Sequence, residues 1–383
     1  MSNHTRTGLP VVGMVGGGQL ARMTQQAAVD LGLSLLVLAR EANEPAAQAG
    51  ARTLLGAPDD PAALARLAAA SDVVTFDHEL VPAPLANALA ERGVPVRPRA
   101  EALLFAQDKL HARLGFAAAG LPVPAFRALG DDPLADLERF VAEAGWPVVI
   151  KARTGGYDGR GVAVAADREA AAAFVGRHAG RALLVEAHVD LLAEVALVGV
   201  RSPSGDWRAY PLVETRQEAG ICRELVMPAR VPPAVAAEAA RLGRAIAETI
   251  DAVGIVAVEL FLTRAGDLLV NEIALRPHNS GHATIEACAT SQFHNHLRAV
   301  LDWPLGSTEM RAPAAALVNI LGPEDGSEPR SRLAQALAVD RAAFHLYGKE
   351  ARPGRKVGHV TALGADAEAA LAVARRAAAL LLG

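Results

Sequence analysis

The chain has 383 residues, which exceeds what one hydrophobic core usually serves, so two or three packed domains are expected. Hydrophobic residues make up 51% and charged residues 21%, a balance that excludes a disordered chain. The formal net charge of −4, without a polybasic run or an apolar stretch of the ~18 residues that span a bilayer, argues against nucleic acid and membrane as partners. We expect a cytoplasmic protein whose two cysteines, Cys222 and Cys288, are reduced.

The N-terminal part alternates short β-branched runs with helical stretches rich in Ala and Leu. This rhythm is typical of a parallel sheet covered by helices, so we predict a doubly wound α/β unit. Its elements are predicted as strands over residues 10–15, 34–39 and 72–76, and helices over 19–31 and 83–92. A further helix over 100–119 leads out of it. We assign residues 1–107 to this Rossmann-like domain.

A glycine turn, Gly16 to Gly18, separates the first strand from the first helix. With Ala21 and with Glu41 near the end of the next strand, it fits the relaxed dinucleotide fingerprint. The pattern guarantees only a tight turn and N–H groups at a helix N-terminus, which suit any phosphate. A nicotinamide or flavin, another phosphorylated ligand and a plain turn all stay open.

The rest of the chain has different loop and turn signals. From Pro147 onward, Gly-rich loops and hairpin-like turns, as at residues 264–267, predict a mixed α+β domain rather than another parallel sheet. We assign residues 108–310 to it. A strand over 314–321, a basic segment and a terminal Ala-rich helix then predict a small C-terminal domain of residues 311–383.

A strand over residues 148–151 ends in Lys151 and leads into a loop in which glycines alternate with Tyr157, Asp158 and Arg160. Such a loop can close its backbone over phosphate, and the lysine supplies a point charge beside it. It is not a Walker loop, because no Lys-Ser/Thr follows the glycines. A flexible hairpin without a ligand is the alternative.

Two glutamates follow on neighbouring predicted strands. Glu259 lies within 255–262 and Glu272 ends 267–273. If the strands pair antiparallel, both carboxylates project toward one point, as Mg²⁺ between nucleotide phosphates requires, and Asn271 offers a further oxygen. Their odd spacing requires the turn to absorb one residue. The alternative is a pair of surface glutamates.

Arg276, His278, Asn279 and His282 form a dense set of hydrogen-bond donors in a loop after Glu272. Such a cluster can hold a small anion and the charge that develops on it. A purely structural loop is the alternative.

A basic segment over residues 347–359 carries several cations in an otherwise acidic protein, Lys349 and Arg355 among them. It is typical of a phosphate-binding site. A solvated basic loop is the alternative.

These segments, in this order, resemble the N5-carboxyaminoimidazole ribonucleotide synthases, a family of ATP-grasp enzymes. The resemblance runs from the stretch at 16–23 to His359, and its specific parts are residues 151–161, 271–282 with 291–293, and 349–359. It implies an ATP-grasp fold of mixed α/β and α+β class, with an N-terminal Rossmann-like (pre-ATP-grasp) domain and a small C-terminal domain, usually as a homodimer. The implied reaction joins bicarbonate to 5-aminoimidazole ribonucleotide, with ATP and Mg²⁺, and yields ADP and phosphate.

The resemblance also implies nucleotide-binding residues, which are Lys109, Lys151, Gly156, Tyr157, Asp158, Gly159, Arg160, Gly161, Glu186, Ala187, His188, Val189, Glu194, Gln217, Asn271 and Glu272. Lys109 and Lys151 would contact phosphates, and residues 156–161 would form the closing loop. The segment from Glu186 to Val189 would lie at the adenine and Glu194 at the ribose.

By the same resemblance, Glu259 and Glu272 would hold Mg²⁺. The catalytic and acceptor-binding residues would be Tyr157, Asp158, Arg160, Arg276, His278, Asn279, Lys349 and Arg355. Arg276, His278 and Asn279 would line the bicarbonate site, and Asp158 would orient the acceptor amine.

The chain also departs from the family pattern. Gln217 stands where the family commonly has a nucleotide-contacting His, and Lys109 stands where some relatives carry Arg. Three alternatives stay open: a related ATP-grasp enzyme that uses formate, a nucleotide-binding oxidoreductase that uses the Gly16 turn, and a non-catalytic nucleotide sensor.

Overall fold

The computed structural model describes residues 8–155 and 161–383. The N-terminal elements are β1 (Val11–Val15), α1 (Gln19–Asp30), β2 (Ser34–Ala39), α2 (Pro45–Gln48), β3 (Arg52–Leu55), α3 (Pro61–Ala69), β4 (Val73–Phe76), α4 (Ala83–Ala90) and α5 (Ala100–Gln107). The strands pair in parallel in the order β3-β2-β1-β4. β1 is buried along its whole length because helices cover both faces of the sheet. The predicted α/β unit is confirmed.

The helix predicted over residues 100–119 is broken. Asp108 has an extended backbone, and its carboxylate accepts hydrogen bonds from Leu110 N (2.9 Å) and His111 N (3.1 Å). An aspartate that satisfies these N–H groups begins a new helix rather than continuing the old one. The prediction of one continuous helix was therefore wrong: α5 ends at Gln107 and α6 begins at Lys109.

A small sheet with its helices follows. The elements are α6 (Lys109–Ala118), β5 (Phe126–Leu129), α7 (Pro133–Ala144), β6 (Val148–Ala152), β7 (Val162–Ala165), α8 (Arg168–Arg177) and β8 (Leu183–Ala187). Its strands are antiparallel in the order β5-β8-β6-β7. It has its own core, a buried cluster that includes Phe140, Ile150 and Phe174.

The remaining elements are β9 (Leu191–Arg201), β10 (Trp207–Ala209), β11 (Val213–Glu218), β12 (Ile221–Met227), α9 (Pro233–Thr249), β13 (Gly254–Thr263), β14 (Leu268–Ala274), α10 (Thr284–Ala287), α11 (Gln292–Val300), β15 (Ala314–Leu321), α12 (Leu333–Ala336), β16 (Ala342–Leu346), β17 (Lys356–Gly364) and α13 (Ala367–Leu382). Their strands form one antiparallel sheet in the order β14-β13-β9-β11-β12-β15-β17-β16, with β10 beside β9. The predicted α+β character is confirmed. Strands on both sides of residue 310 share this sheet.

The hydrophobic core also crosses residue 107. Leu36 and Val74 of the parallel sheet belong to the same buried cluster as Leu242 of α9 and Val258 of the large sheet. The N-terminal unit is therefore fixed against the rest of the chain. No helix within the described ranges has both the length and the apolarity to cross a bilayer.

Candidate active site

The predicted carboxylate pair lies on the β13–β14 hairpin. Glu259 and Glu272 are directly opposite each other in the strand register, so their side chains project from one face of the sheet. Leu260 pairs with Val270, which leaves Asn271 as the extra residue of a bulge in β14. The odd residue is therefore accommodated in the strand and not, as the sequence predicts, in the turn, because a bulge sets two residues against one.

Several charges surround this pair. Lys109 Nζ lies 2.5 Å from Glu272 Oε2, and His278 Nε2 lies 3.5 Å from Glu259 Oε1. Burial and the negative charges of Glu272 and Glu194 raise the pKa of Glu259 to about 8. Partial desolvation acts against ionisation of Glu272 too, although its side chain is 47% exposed, but Lys109 outweighs it and lowers the pKa of Glu272. The three glutamates thus repel one another.

The arrangement fits a divalent cation, which would relieve that repulsion. Glu259 and Glu272 offer hard oxygen ligands from one face, as Mg²⁺ prefers. Within residues 8–155 and 161–383, no group of three or more His, Cys, Asp or Glu is placed to hold a metal ion. Two carboxylates completed by nucleotide phosphates and water are the usual environment of Mg²⁺ in phosphoryl-transfer sites.

Lys151 lies at the centre of a buried polar network. Its Nζ is 2.7 Å from Glu186 Oε2 and donates to Asn271 Oδ1 (3.1 Å). Arg113 Nε donates to the other oxygen of Glu186 at 2.7 Å, and Arg113 and Glu186 are each only 1% exposed. Burial would raise the pKa of Glu186, but Lys151 and Arg113 outweigh it and lower it. Because both oxygens of Glu186 are engaged, its side chain positions Lys151, and the adenine contact predicted for this segment stays a prediction.

The predicted closing loop connects β6 to β7. Lys151 pairs with Val162, and Ala152 N donates to Gly161 O at 2.8 Å, so Lys151 lies at the base of this hairpin. Both glycines that flank the loop, Gly155 and Gly161, have positive φ angles. The predicted site residues of the loop itself, which are Gly156, Tyr157, Asp158, Gly159 and Arg160, lie outside the described residues.

The other predicted nucleotide residues lie where the two antiparallel sheets meet. Ala187 ends β8, and His188 and Val189 connect it to β9, which carries Glu194. Glu194 pairs with Thr215 of β11, two residues before Gln217. Glu194 and Gln217 also line one surface cavity of about 420 Å³. The structure brings these residues to one region, and their contacts with a nucleotide stay predictions.

The predicted anion-binding loop, residues 276–282, follows β14 and is called the anion loop below. Arg276 Nε donates to Glu79 Oε2 at 2.8 Å. Burial and the nearby Arg276 lower the pKa of His278 to about 3, so its imidazole is neutral. The amide of Asn279 forms a reciprocal pair with that of Asn319 in β15, with both hydrogen bonds at 2.9 Å. Side chains from the N-terminal part and from β15 thus hold this loop from two sides.

The basic segment contacts the N-terminal unit. Lys349 Nζ donates to Gln19 Oε1, and Gln48 Nε2 donates to Gly348 O at 2.9 Å. Arg355 is exposed, and its Nη1 donates to Glu350 O at 3.3 Å. The segment therefore brings Lys349 to the beginning of α1, beside the glycine turn.

The glycine turn already binds a carboxylate of the protein. Gly18 N donates to Asp77 Oδ2 at 2.7 Å. A Cβ on Gly16, whose φ is +106°, would lie 1.7 Å from Asp77 Oδ1. Since the aspartate occupies an N–H that a pyrophosphate would need, the structure favours the plain tight turn over a dinucleotide site.

Comparisons with known proteins identify the family. Family models match along the chain: a ribonucleotide synthetase preATP-grasp domain at residues 9–107, an ATP-grasp domain at 114–293 and a phosphoribosylaminoimidazole carboxylase C-terminal domain at 315–373. The N5-carboxyaminoimidazole ribonucleotide synthase of Mycobacterium tuberculosis is 48% identical over 93% of this chain and 84% of its own. The chain belongs to the N5-carboxyaminoimidazole ribonucleotide synthase family. The synthase of Synechococcus elongatus is 42% identical over 91% of this chain and 88% of its own.

Solved structures of the synthase family share the fold. An N5-carboxyaminoimidazole ribonucleotide synthetase in its ADP complex matches with a TM-score of 0.89 at 34% identity, over 96% of each chain. The Aspergillus clavatus synthase in complex with ADP and 5-aminoimidazole ribonucleotide matches with a TM-score of 0.88 at 32% identity, over 97% of this chain and 98% of its own. The predicted ATP-grasp fold with its flanking N- and C-terminal domains is confirmed, while the boundaries at residues 107 and 310 stay predictions.

Several residues that shape the site of this synthase-family chain were not predicted as site residues: Asp77, Glu79, Arg113, Gln292 and Asn319. Asp77 and Glu79 follow β4, and acidic residues at the carboxyl end of a parallel strand are a usable signal. Arg113 stands on the buried face of α6 with Leu110 and Phe116, where an unpaired charge is not tolerated. Gln292 lies in the 291–293 segment of the resemblance, but neither its role nor that of Asn319 has a local signal, because their partners are 14 and 40 residues away along the chain.

Proposed function

We propose that this chain carboxylates 5-aminoimidazole ribonucleotide with bicarbonate, at the expense of ATP, to give N5-carboxyaminoimidazole ribonucleotide, ADP and phosphate. The observation that carries the proposal is the contact between two sites. His278 of the anion loop lies 3.5 Å from Glu259 of the carboxylate pair. A phosphoryl group bound at the glutamates would therefore be next to an anion bound by the loop. The family to which the chain belongs, and the ribonucleotide complex of the Aspergillus clavatus relative, support the choice of acceptor.

The chemistry requires such neighbouring sites. Bicarbonate is a poor electrophile, and its attack on the γ-phosphorus releases ADP and gives carboxyphosphate. The acceptor amine then attacks the carbonyl carbon, phosphate leaves with the bonding electron pair, and the amine loses a proton. Both steps concentrate negative charge, which fixed cations and donors must stabilise.

The residues are assigned accordingly. Lys109 and Lys151 neutralise the nucleotide phosphates, and Glu259 and Glu272 hold Mg²⁺, which supplies further positive charge when bound. Arg276, His278 and Asn279 bind bicarbonate; the neutral imidazole of His278 can donate without adding charge. Lys349 and Arg355 bind the ribonucleotide together with Tyr157 and Arg160. Asp158 orients the amine.

The test is ADP release with Mg-ATP and bicarbonate, with and without 5-aminoimidazole ribonucleotide, for the wild type and Glu272→Ala. We expect strong stimulation by the ribonucleotide that the substitution abolishes. ATP binding without stimulation would contradict the acceptor, and formate in place of bicarbonate would then test the formate-dependent alternative.

The proposal includes a cytoplasmic homodimer, which the resemblance to the family implies. Sedimentation equilibrium at several protein concentrations tests the dimer, and fractionation of the producing cells tests the location.

A further inference from the structure

Both backbone polar groups of His278 are bound by one buried side chain. Gln292 Oε1 accepts from His278 N at 2.9 Å, and Gln292 Nε2 donates to His278 O at 2.8 Å. The backbone fixes the orientation of the amide, because the N–H can only donate and the C=O can only accept. Gln292 thus holds His278 at two points, across a sequence separation of 14 residues.

Gln292 is itself held firmly. It is fully buried, its backbone N donates to Thr284 Oγ1 at 2.9 Å, and its second amide hydrogen is directed to His282 Nδ1 at 3.1 Å. His282 accepts this bond as a neutral ring, since burial lowers its pKa well below the usual value. A Cβ on Gly281 would lie 2.4 Å from Gln292 Oε1, so the loop and the amide are in close contact.

The position of His278 matters for the site because of what its imidazole contacts. Nδ1 lies 2.8 Å from Ser280 Oγ, and Nε2 faces Glu259. A shift of the backbone at residue 278 would move the ring relative to both the carboxylate pair and the neighbouring Arg276 and Asn279. The amide of Gln292 bonds to the backbone of His278 and to the ring of His282, so it acts on the loop from the protein interior.

We propose that Gln292 is the positioning residue of the anion loop: it sets the place of His278, and through it the geometry in which bicarbonate meets the phosphoryl donor. This inference rests on the proposed function. A small displacement of a binding group costs about 100-fold in rate when reacting groups must be aligned. The role therefore shows in the bicarbonate kinetics and not in nucleotide binding, which depends on Lys109, Lys151 and Glu272.

The experiment compares Gln292→Met, which keeps the length of the side chain and removes every polar atom, with Gln292→Glu, which keeps the acceptor for His278 N. The matched control is Asn295→Leu. Asn295 is equally buried on the same helix, but it bonds to Tyr210 and Gly306 and not to the loop. Tm, the Kd of ATP and the kinetic constants for bicarbonate are measured for each variant.

We expect kcat/KM for bicarbonate to fall about 100-fold in Gln292→Met, with the Kd of ATP unchanged. Gln292→Glu loses one backbone bond, and its kcat/KM falls about tenfold. Asn295→Leu lowers Tm to a similar extent and leaves the bicarbonate constants of the folded enzyme unchanged. If Gln292→Met does not fold, the comparison of kcat/KM for bicarbonate between Gln292→Glu and Asn295→Leu tests the inference.

Unchanged bicarbonate constants in a folded Gln292 variant would overturn the inference, and so would an equal loss in Asn295→Leu. A wild type without bicarbonate-dependent turnover would overturn the proposed function and the inference with it. The two failures can be told apart. If the proposed function is wrong, the wild type itself shows no bicarbonate-dependent turnover; if only the inference is wrong, the wild type turns over and the Gln292 variants do not differ from it or from Asn295→Leu.

Discussion

Lys151 is held in the protein interior by Glu186, a carboxylate that it shares with Arg113. Replacing Glu186 by Gln keeps the shape but leaves two buried cations without an anion. Removing one member of a buried ionic network costs about 3–5 kcal/mol, because the remaining charge stays desolvated. We predict that Glu186→Gln lowers the free energy of unfolding by this amount, measured by urea unfolding.

The control for Glu186→Gln is Glu143→Gln. Glu143 pairs with Arg127 at 3.0 Å, but its side chain is 70% exposed. Exposed ion pairs contribute only about 0–1 kcal/mol. Equal losses in the two variants would contradict the assignment of a buried network.

Gly16 is a second position where one residue decides local structure. An added Cβ would collide with the Asp77 carboxylate, and the positive φ is unfavourable for L-residues. We predict that Gly16→Ala lowers the free energy of unfolding by about 2–3 kcal/mol, as overpacking with a backbone shift does. Gly93→Ala is the control, since Gly93 has φ +82° and nothing within 4 Å of its Cβ. It isolates the backbone strain, about 1 kcal/mol, and a cost as large as that of Gly16→Ala would refute the role of Asp77.

At the scale of elements, the break between α5 and α6 places Lys109 in the first turn of a helix. Asp108 caps that helix and pairs with Arg153 at 2.5 Å. We predict that Asp108→Ala lowers the free energy of unfolding by about 1–2 kcal/mol and also weakens ATP binding, because Lys109 loses its fixed position. Asp132→Ala removes the equivalent cap of α7, at a distance from the predicted site, and should lower stability alone. An unchanged Kd of ATP in Asp108→Ala would contradict the coupling.

The contribution of Asp108 also depends on pH. Burial raises the pKa of this carboxyl, but the bonds from Arg153, His111 and Leu110 outweigh it and lower the pKa below the usual 3.8. A lowered pKa stabilises the fold above the unfolded value and ceases to do so as pH falls through the folded value. The difference in stability between the wild type and Asp108→Ala should therefore be constant near neutrality and shrink below pH 3.8.

At the scale of the molecule, the sequence predicts those features that depend on residues close together along the chain. The parallel strands, the lysine before the loop and the glutamates on paired strands follow from residue type and alternation. The bulge at Asn271 and the break at Asp108 do not, because they depend on which backbone groups a side chain satisfies in three dimensions. The hydrogen bonds of Gln292 and Asn319 are even harder to predict from the sequence. Asn319 is 40 residues from Asn279, and only the folded sheet brings them together.

The large sheet makes the C-terminal region part of the central structure rather than an appendage. β15 is buried along its whole length, pairs with β12 and β17, and contributes Ala315 and Leu317 to a cluster with Tyr210 and Ile255. A chain that ends at residue 310 would expose this apolar face and leave β12 with an unpaired edge, which promotes association. We predict that it elutes as aggregates in size-exclusion chromatography, whereas a chain that lacks only Leu382 and Gly383 elutes like the full-length protein. A monodisperse, folded 1–310 fragment would show instead that the sheet is stable without its C-terminal strands.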